Sequence, residues 1–192
     1  MTVKLWPVPT EADHQIPFPE DHTHASYDPG QATRFFQMLG HADRILERFK
    51  GRFLGKSSPV QFFWGVMDLA VTRFNGRRAP APKPTDWWVL REASSHEEIS
   101  FGFWAGSGAI QEPAFYAYVR PEPAGIAGAA IRPSSAYYSG EIANFILPYE
   151  AVRSSGASDA AVLEFCQSAY DAAADLARWD RPSLDRPPSE WP

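Results

Sequence analysis

The chain has 192 residues with 23 acidic and 18 basic side chains, for a net charge of −5. This length fits one domain able to bury most of the surface its unfolded form exposes, and the acidic balance argues against nucleic acid, which needs concentrated positive surface. A single cysteine, Cys166, excludes an internal disulfide and points to a reducing compartment, read here as the cytoplasm.

In chain order, "TVKLWPV" alternates as a short strand does, and a proline-rich passage through Phe18 follows. "MTVKLWPVPTEAD" lacks the apolar core of a signal peptide, and no apolar run reaches the roughly 18 residues that span a bilayer. In "YDPGQATRFFQMLGHADRILERFKG" the signals predict a helix over residues 29–50. Asp28 caps it, Pro29 suits its first position and Gln31 sits three residues after the cap. Phe35, Leu39, Ala42, Leu46 and Phe49 recur at helical spacing, Gly51 supplies the stop, and His41 reads as a surface histidine.

Residues 59–120 change to short aromatic and β-branched runs, "VQFFW", "LAVTRF", "WWVLRE", "EISFGFW" and "AFYAYV", separated by Gly, Pro and Ser. Such spacing implies an antiparallel sheet, with a bulge or kink at Gly65 and a turn in "PEPAG". The basic cluster Arg73, Arg77, Arg78, Lys83 and Arg91 reads as a solvated turn, since Gly76 and prolines surround it. A further strand is expected in "NFILPYEAV" and a second helix in "SDAAVLEFCQSAYDAAADLARW". Ser158 would cap that helix, with Val162, Phe165, Ala169, Ala173 and Leu176 on its buried face and Cys166 as apolar filler beside them. The expected fold is α+β, a mainly antiparallel sheet packed by two principal helices. One domain covers 1–180, and 181–192 form a loosely ordered, proline-rich tail.

Familiar catalytic signatures are absent: no Walker loop, no G-x-G-x-x-G after a strand, no paired Cys-x-x-Cys and no H-E-x-x-H. "GSG" at 106–108 misses the spacing of a nucleophile elbow. In "DHTHASYD", His22 and His24 are two apart and would share a side in extended chain, a weak metal signal. In "REASSHEEISFGFW", His96 and Glu97 precede an aromatic strand, where burial and a charged neighbour tune groups for acid–base work. A strand through 66–74 puts Asp68, Ala70, Thr72 and Phe74 on one side and Met67, Leu69, Val71 and Arg73 on the other. Arg73 is then expected at the strand end with its head emerging, while Asp68 lies deeper and is the stronger candidate.

The ordered words "HASYDP", "FFWGVMDLAVTRFNGRRAP", "REASSHE", "GFWAG", "YVRPEPAG" and "LPYEAVR" resemble the uncharacterised bacterial family known as domain of unknown function 5996, over about residues 5 to 180. The resemblance implies that members commonly carry roughly a hundred further residues ahead of this region, so the chain would match their C-terminal half. It brings no activity, cofactor or partner. It carries over positions alone: His24, Ser26, Tyr27 and Asp28, then Trp64, Asp68 and Arg73, then Arg91, Glu92, His96 and Glu97. His22 is outside the pattern, which weakens a His-x-His metal site, and no metal ligand is assigned.

Two functions fit these residues. The first is a small-molecule enzyme or ligand-binding domain with an aromatic-lined pocket. His96, Asp68 and Glu97 are its catalytic candidates and His24, Tyr27, Trp64, Arg73, Arg91 and Trp104 its binding candidates, with Phe103 among the walls. The second is a structural or interaction module whose aromatics meet a partner or a second copy of the chain. The cofactor is unknown, and neither nucleic acid nor membrane is expected as a partner.

Overall fold

A computed structural model describes residues 16, 20–23, 26–81 and 93–192. The first helix, α1, spans Pro29–Lys50, and the amide of Gln31 donates to the Asp28 carboxylate at 2.9 Å, the cap that the sequence predicts. Ala42, Ile45, Leu46 and Phe49 form its buried stripe, while Phe35 and Leu39 lie half-buried toward the first turns.

Six strands follow: β1 (Gln61–Phe63), β2 (Asp68–Arg78), β3 (His96–Trp104), β4 (Ala114–Arg120), β5 (Tyr137–Ser139) and β6 (Asn144–Pro148). They form one sheet in the order β1-β2-β3-β4-β6-β5, antiparallel at every pairing. With the helices this is an α+β architecture. Gly65 lies in the turn that links β1 to β2, so it shapes a hairpin rather than a bulge within one strand. "NFILPYEAV" divides: strand stops at Pro148, and the helix α2 (Tyr149–Ser154) takes the rest. β5 carries too few residues for a periodic signal and has no counterpart in the predicted elements.

The long second helix, α3, spans Ser158–Leu176. Its cap residue is Ala157, so Ser158 begins the helix and caps nothing. Val162, Phe165, Ala169 and Ala173 are buried as the spacing implies, but Leu176 is exposed in the last turn. α1 and α3 cover one face of the sheet, meeting Leu69, Val71, Ile99, Phe101, Phe103 and Phe115 in a single apolar cluster.

The proline-rich end is packed, contrary to its expected looseness. A short helix α4 (Arg181–Leu184) follows α3; Leu54 N–H donates to Leu184 O at 2.7 Å and Arg186 N–H to Arg52 O at 2.9 Å. The Arg52 guanidinium lies 4.2 Å over the Trp191 ring. These contacts give the tail apolar and hydrogen-bonding partners that periodicity does not reveal. Among the described residues, no helix is long and apolar enough to cross a membrane. The strands foreseen in "TVKLWPV" and "WWVLRE" lie outside the described residues.

Candidate functional site

The alternation of each central strand sends apolar side chains toward the helices and a different set to the opposite face. Ladder register arranges that second set in rows. Phe74 pairs with Glu98 and Glu98 with Arg120; Thr72 pairs with Ser100 and Ser100 with Tyr118. Next come Ala70, Gly102, Tyr116 and Ile146, and finally Asp68, Trp104 and Ala114.

These rows floor a cavity of about 920 Å³, walled by Phe63 at the end of β1, by Val66 and Met67 of the β1–β2 turn, and by Ile142 just ahead of β6 and Asn144 at its start. Its size lies in the range of small-molecule pockets, and its mixture of apolar walls with few polar groups is theirs too. Glu98 and Ser100 are buried although they face this cavity. The Ser94 hydroxyl donates to Glu98 Oε1 at 3.0 Å, and the Thr72 and Ser100 hydroxyls lie 3.0 Å apart. Burial pushes the Glu98 carboxyl above its ordinary range, against the smaller opposing effects of Ser94 and Arg120. Burial, and then the Glu98 charge, push the Tyr118 hydroxyl up to about 12.

Glycine at 102 makes the lower half of the floor. A Cβ there would sit 2.5 Å from the Tyr116 hydroxyl and 2.6 Å from Leu69 O. The Tyr116 ring therefore crosses β3 through space that any side chain would fill, and its hydroxyl donates to Asp68 Oδ2 on β2 at 2.5 Å. Tyr116 and Tyr118 stack with centroids 6.1 Å apart and planes 7° from parallel, and Arg120 lies 5.4 Å over the Tyr118 ring.

The sequence-derived candidates scatter around this site. Asp68 and Trp104 line the cavity. His96 does not join Asp68: it pairs with Arg78 at the start of β3, whereas Asp68 pairs with Trp104 at its end. Eight residues of strand separate those registers, roughly 27 Å at ~3.4 Å per residue. The expected His96–Asp68 constellation is therefore absent. His96 Nδ1 instead lies 3.1 Å from the Ser95 hydroxyl.

Glu97 faces the other way. It takes Arg77 at 2.6 Å and Asn75 at 2.7 Å, while Arg77 donates to Ala177 O at 2.7 Å and to Arg178 O at 3.2 Å. It thus ties the β2 end to the C-terminus of α3, where a cation complements the exposed carbonyls.

Arg73 overturns its expected exit to water. It is 1% exposed, donates to Phe49 O, and lies 3.6 Å over the Phe49 ring and 4.5 Å over that of Tyr170. Burial lowers its pKa to about 10, and the aromatic faces replace part of the lost hydration. It holds α1, β2 and α3 together from inside the core and has no route to a ligand. Phe103 is likewise a core residue, packed on Phe115 and Tyr149, and not a pocket wall.

Trp64 is half-exposed on the β1–β2 turn, and Tyr27 projects from the chain before α1. His24, Arg91 and Glu92 lie outside the described residues, and His22 is exposed. Among the described residues no three His, Cys, Asp or Glu groups gather as a metal would require. Cys166 is enclosed in the core, and burial pushes its thiol up to about 12, so it carries no thiolate at neutral pH. Glu98, Ser100, Gly102, Tyr116 and Tyr118 went unselected by motif reasoning, although the two-residue alternation of β3 and β4 carried the signal.

Among the described residues, the fold and the recessed face opposite its helices define an α+β domain with a single antiparallel sheet and a concave candidate site. Over residues 1–186, essentially its whole length, the chain matches the family of unknown function DUF5996, and it belongs to that family. Neither a comparison with curated proteins nor one with solved structures finds a match.

Proposed function

We propose that this is a small-molecule-binding domain whose ligand lies on the sheet face opposite the described helices. The observation that carries the reading is the buried Glu98, with the Thr72–Ser100 hydroxyl pair beside it, on the floor of an apolar-walled cavity of about 920 Å³. A carboxyl buried in this way opposes folding by lost hydration, and a binding site is a reason to keep it there. The test is native mass spectrometry of freshly purified protein, followed by a thermal-shift screen of small polar and amphiphilic compounds. The reading expects a hit whose stabilisation is weakened several-fold in Ser100→Ala. It fails if no compound from either route responds to that change.

A second reading is favoured by one observation. Phe62, Trp64, Val66 and Met67 are exposed together around the β1–β2 turn, an apolar rim suited to a second copy of the chain. Sedimentation of wild type and Trp64→Ser decides between a dimer held by that rim and a monomer. With one enclosed cysteine and an acidic composition, we place the protein in the bacterial cytoplasm, without a nucleic-acid partner.

A further inference from the structure

The small-molecule reading leaves the ligand's chemistry open, and the groups that line the cavity narrow it. Resting on that reading, we infer that the ligand is an organic amine. Its ammonium group binds Glu98 beside the Phe74 ring, and its apolar body runs along β2 toward Trp104 and Met67.

Three observations converge on this class. Among the described residues that line the cavity, both ionisable carboxyls, Asp68 and Glu98, are acidic and none is Lys, Arg or His. An anionic ligand would therefore meet two carboxyl groups and no cation among the described lining residues. The nearest cation along the Glu98 row is Arg120, and it is turned over the Tyr118 ring.

Glu98 also has an oxygen to offer. Ser94 donates to its Oε1, and among the described residues no hydrogen bond reaches Oε2. A carboxylate accepts through both oxygens, and a charged donor gives it a stronger bond than a neutral one. An ammonium carries three such donors.

The third observation is the company Glu98 keeps. Phe74 is its ladder neighbour on β2 and lines the same cavity, whereas Tyr118 is already sandwiched between Tyr116 and Arg120. Aromatic faces attract a cation through the negative centre of the ring, most strongly where water is excluded. A neutral alcohol can use the hydroxyls of Thr72 and Ser100, but it gains nothing from the Phe74 face or from a charged partner. The walls, mostly apolar, then select an amine with a hydrocarbon or aromatic body over a small hydrophilic one.

The test uses three probes of one shape on the intact protein: 2-phenylethylammonium, 2-phenylethanol and 3-phenylpropionate. Backbone amide resonances of Thr72, Ser100 and Tyr118 report occupancy, titrated to about 20 mM because fragments of this size bind in the millimolar range. The expected order is the ammonium roughly tenfold tighter than the alcohol, with no measurable binding of the carboxylate. In Glu98→Gln the ammonium and the alcohol should bind within about twofold of each other, because the charged acceptor is gone while the shape remains.

If the probes move these resonances but the ammonium is no tighter than the alcohol, the amine assignment is overturned and the pocket survives. If none moves them, the pocket reading falls with it. Should Glu98→Gln not fold, the order of the three probes on the wild type decides the matter alone.

Discussion

Replacing Gly102 by alanine should damage the floor of the cavity and the fold together, by an amount the geometry sets. The new Cβ would lie 2.5 Å from Tyr116 and 2.6 Å from Leu69 O, about an ångström inside ordinary contact. Leu69 O is backbone, so relief there spreads β2 from β3, and overpacking of this kind costs ~1–3 kcal/mol. Relief at Tyr116 pulls its hydroxyl from Asp68, and a hydrogen bond to a charged group contributes ~1.5–3 kcal/mol. The sum is about 2.5–6 kcal/mol, a large part of a typical stability of ~5–15 kcal/mol. For a chain of this size it appears as a fall in Tm of roughly 5–24 °C. Urea denaturation followed by tryptophan fluorescence measures it, in wild type and in Tyr116→Ala. In the second background the clash with Tyr116 and its lost bond no longer count, so Gly102→Ala should cost at least ~1.5 kcal/mol less. An equal cost in both backgrounds, or a loss below ~1 kcal/mol in the wild type, would refute the view that glycine is there to let Tyr116 cross.

Leu46→Ala should lower stability by ~2–5 kcal/mol in the same assay, while Leu39→Ala, at a half-buried position, should cost clearly less. Arg73→Ala should cost ~3–5 kcal/mol, and Arg73→Lys should recover little of it, because an ammonium lacks the planar fork that stacks on Phe49 while donating to its carbonyl; full recovery in Lys would show that charge alone suffices. For Glu98 the folded pKa is raised, so its contribution is fully present below the unfolded value and is lost as pH rises through the folded one. Glu98→Gln should therefore be more stable than wild type at neutral pH and should flatten the loss above the ordinary glutamate range, read by denaturant midpoints across pH.

Much of the fold was legible because local chemistry and packing agree there. Asp28, Pro29 and Gly51 bracket α1 by cap, ring and stop, and Ala42, Leu46 and Phe49 repeat on the face the sheet requires. The longer strands announce themselves by the same agreement. What escaped depends on partners distant in the chain. Arg73 looks like a strand-end cation until Phe49 and Tyr170, from two different helices, close over it. The tail looks unstructured until Arg52 and Leu54 supply the groups it binds. Ser158 is a good capping residue in a place where the helix has already begun.

The candidate site was hidden for a related reason. Choosing residues by chemical type drew attention to His96 and Glu97, the groups richest in acid–base chemistry, but position in the ladder decides what they can do. Glu97 faces the helices and meets Arg77; Glu98, one residue on, faces the cavity. The alternation applied to Asp68 and Arg73 on β2 separates those two correctly, and the same rule on β3 and β4 isolates Glu98, Ser100, Gly102, Tyr116 and Tyr118. Only the register that sets Ser100 between Thr72 and Tyr118 turns the three lists into one surface, and register depends on pairings that a single strand does not contain. On that surface the local rule that apolar residues fill buried positions fails at Ser100 and Glu98, both buried, within an otherwise consistent fold. Departures of this kind cost stability and persist where binding or catalysis needs them, which makes Glu98, more than any histidine in the chain, the residue on which a functional experiment should begin.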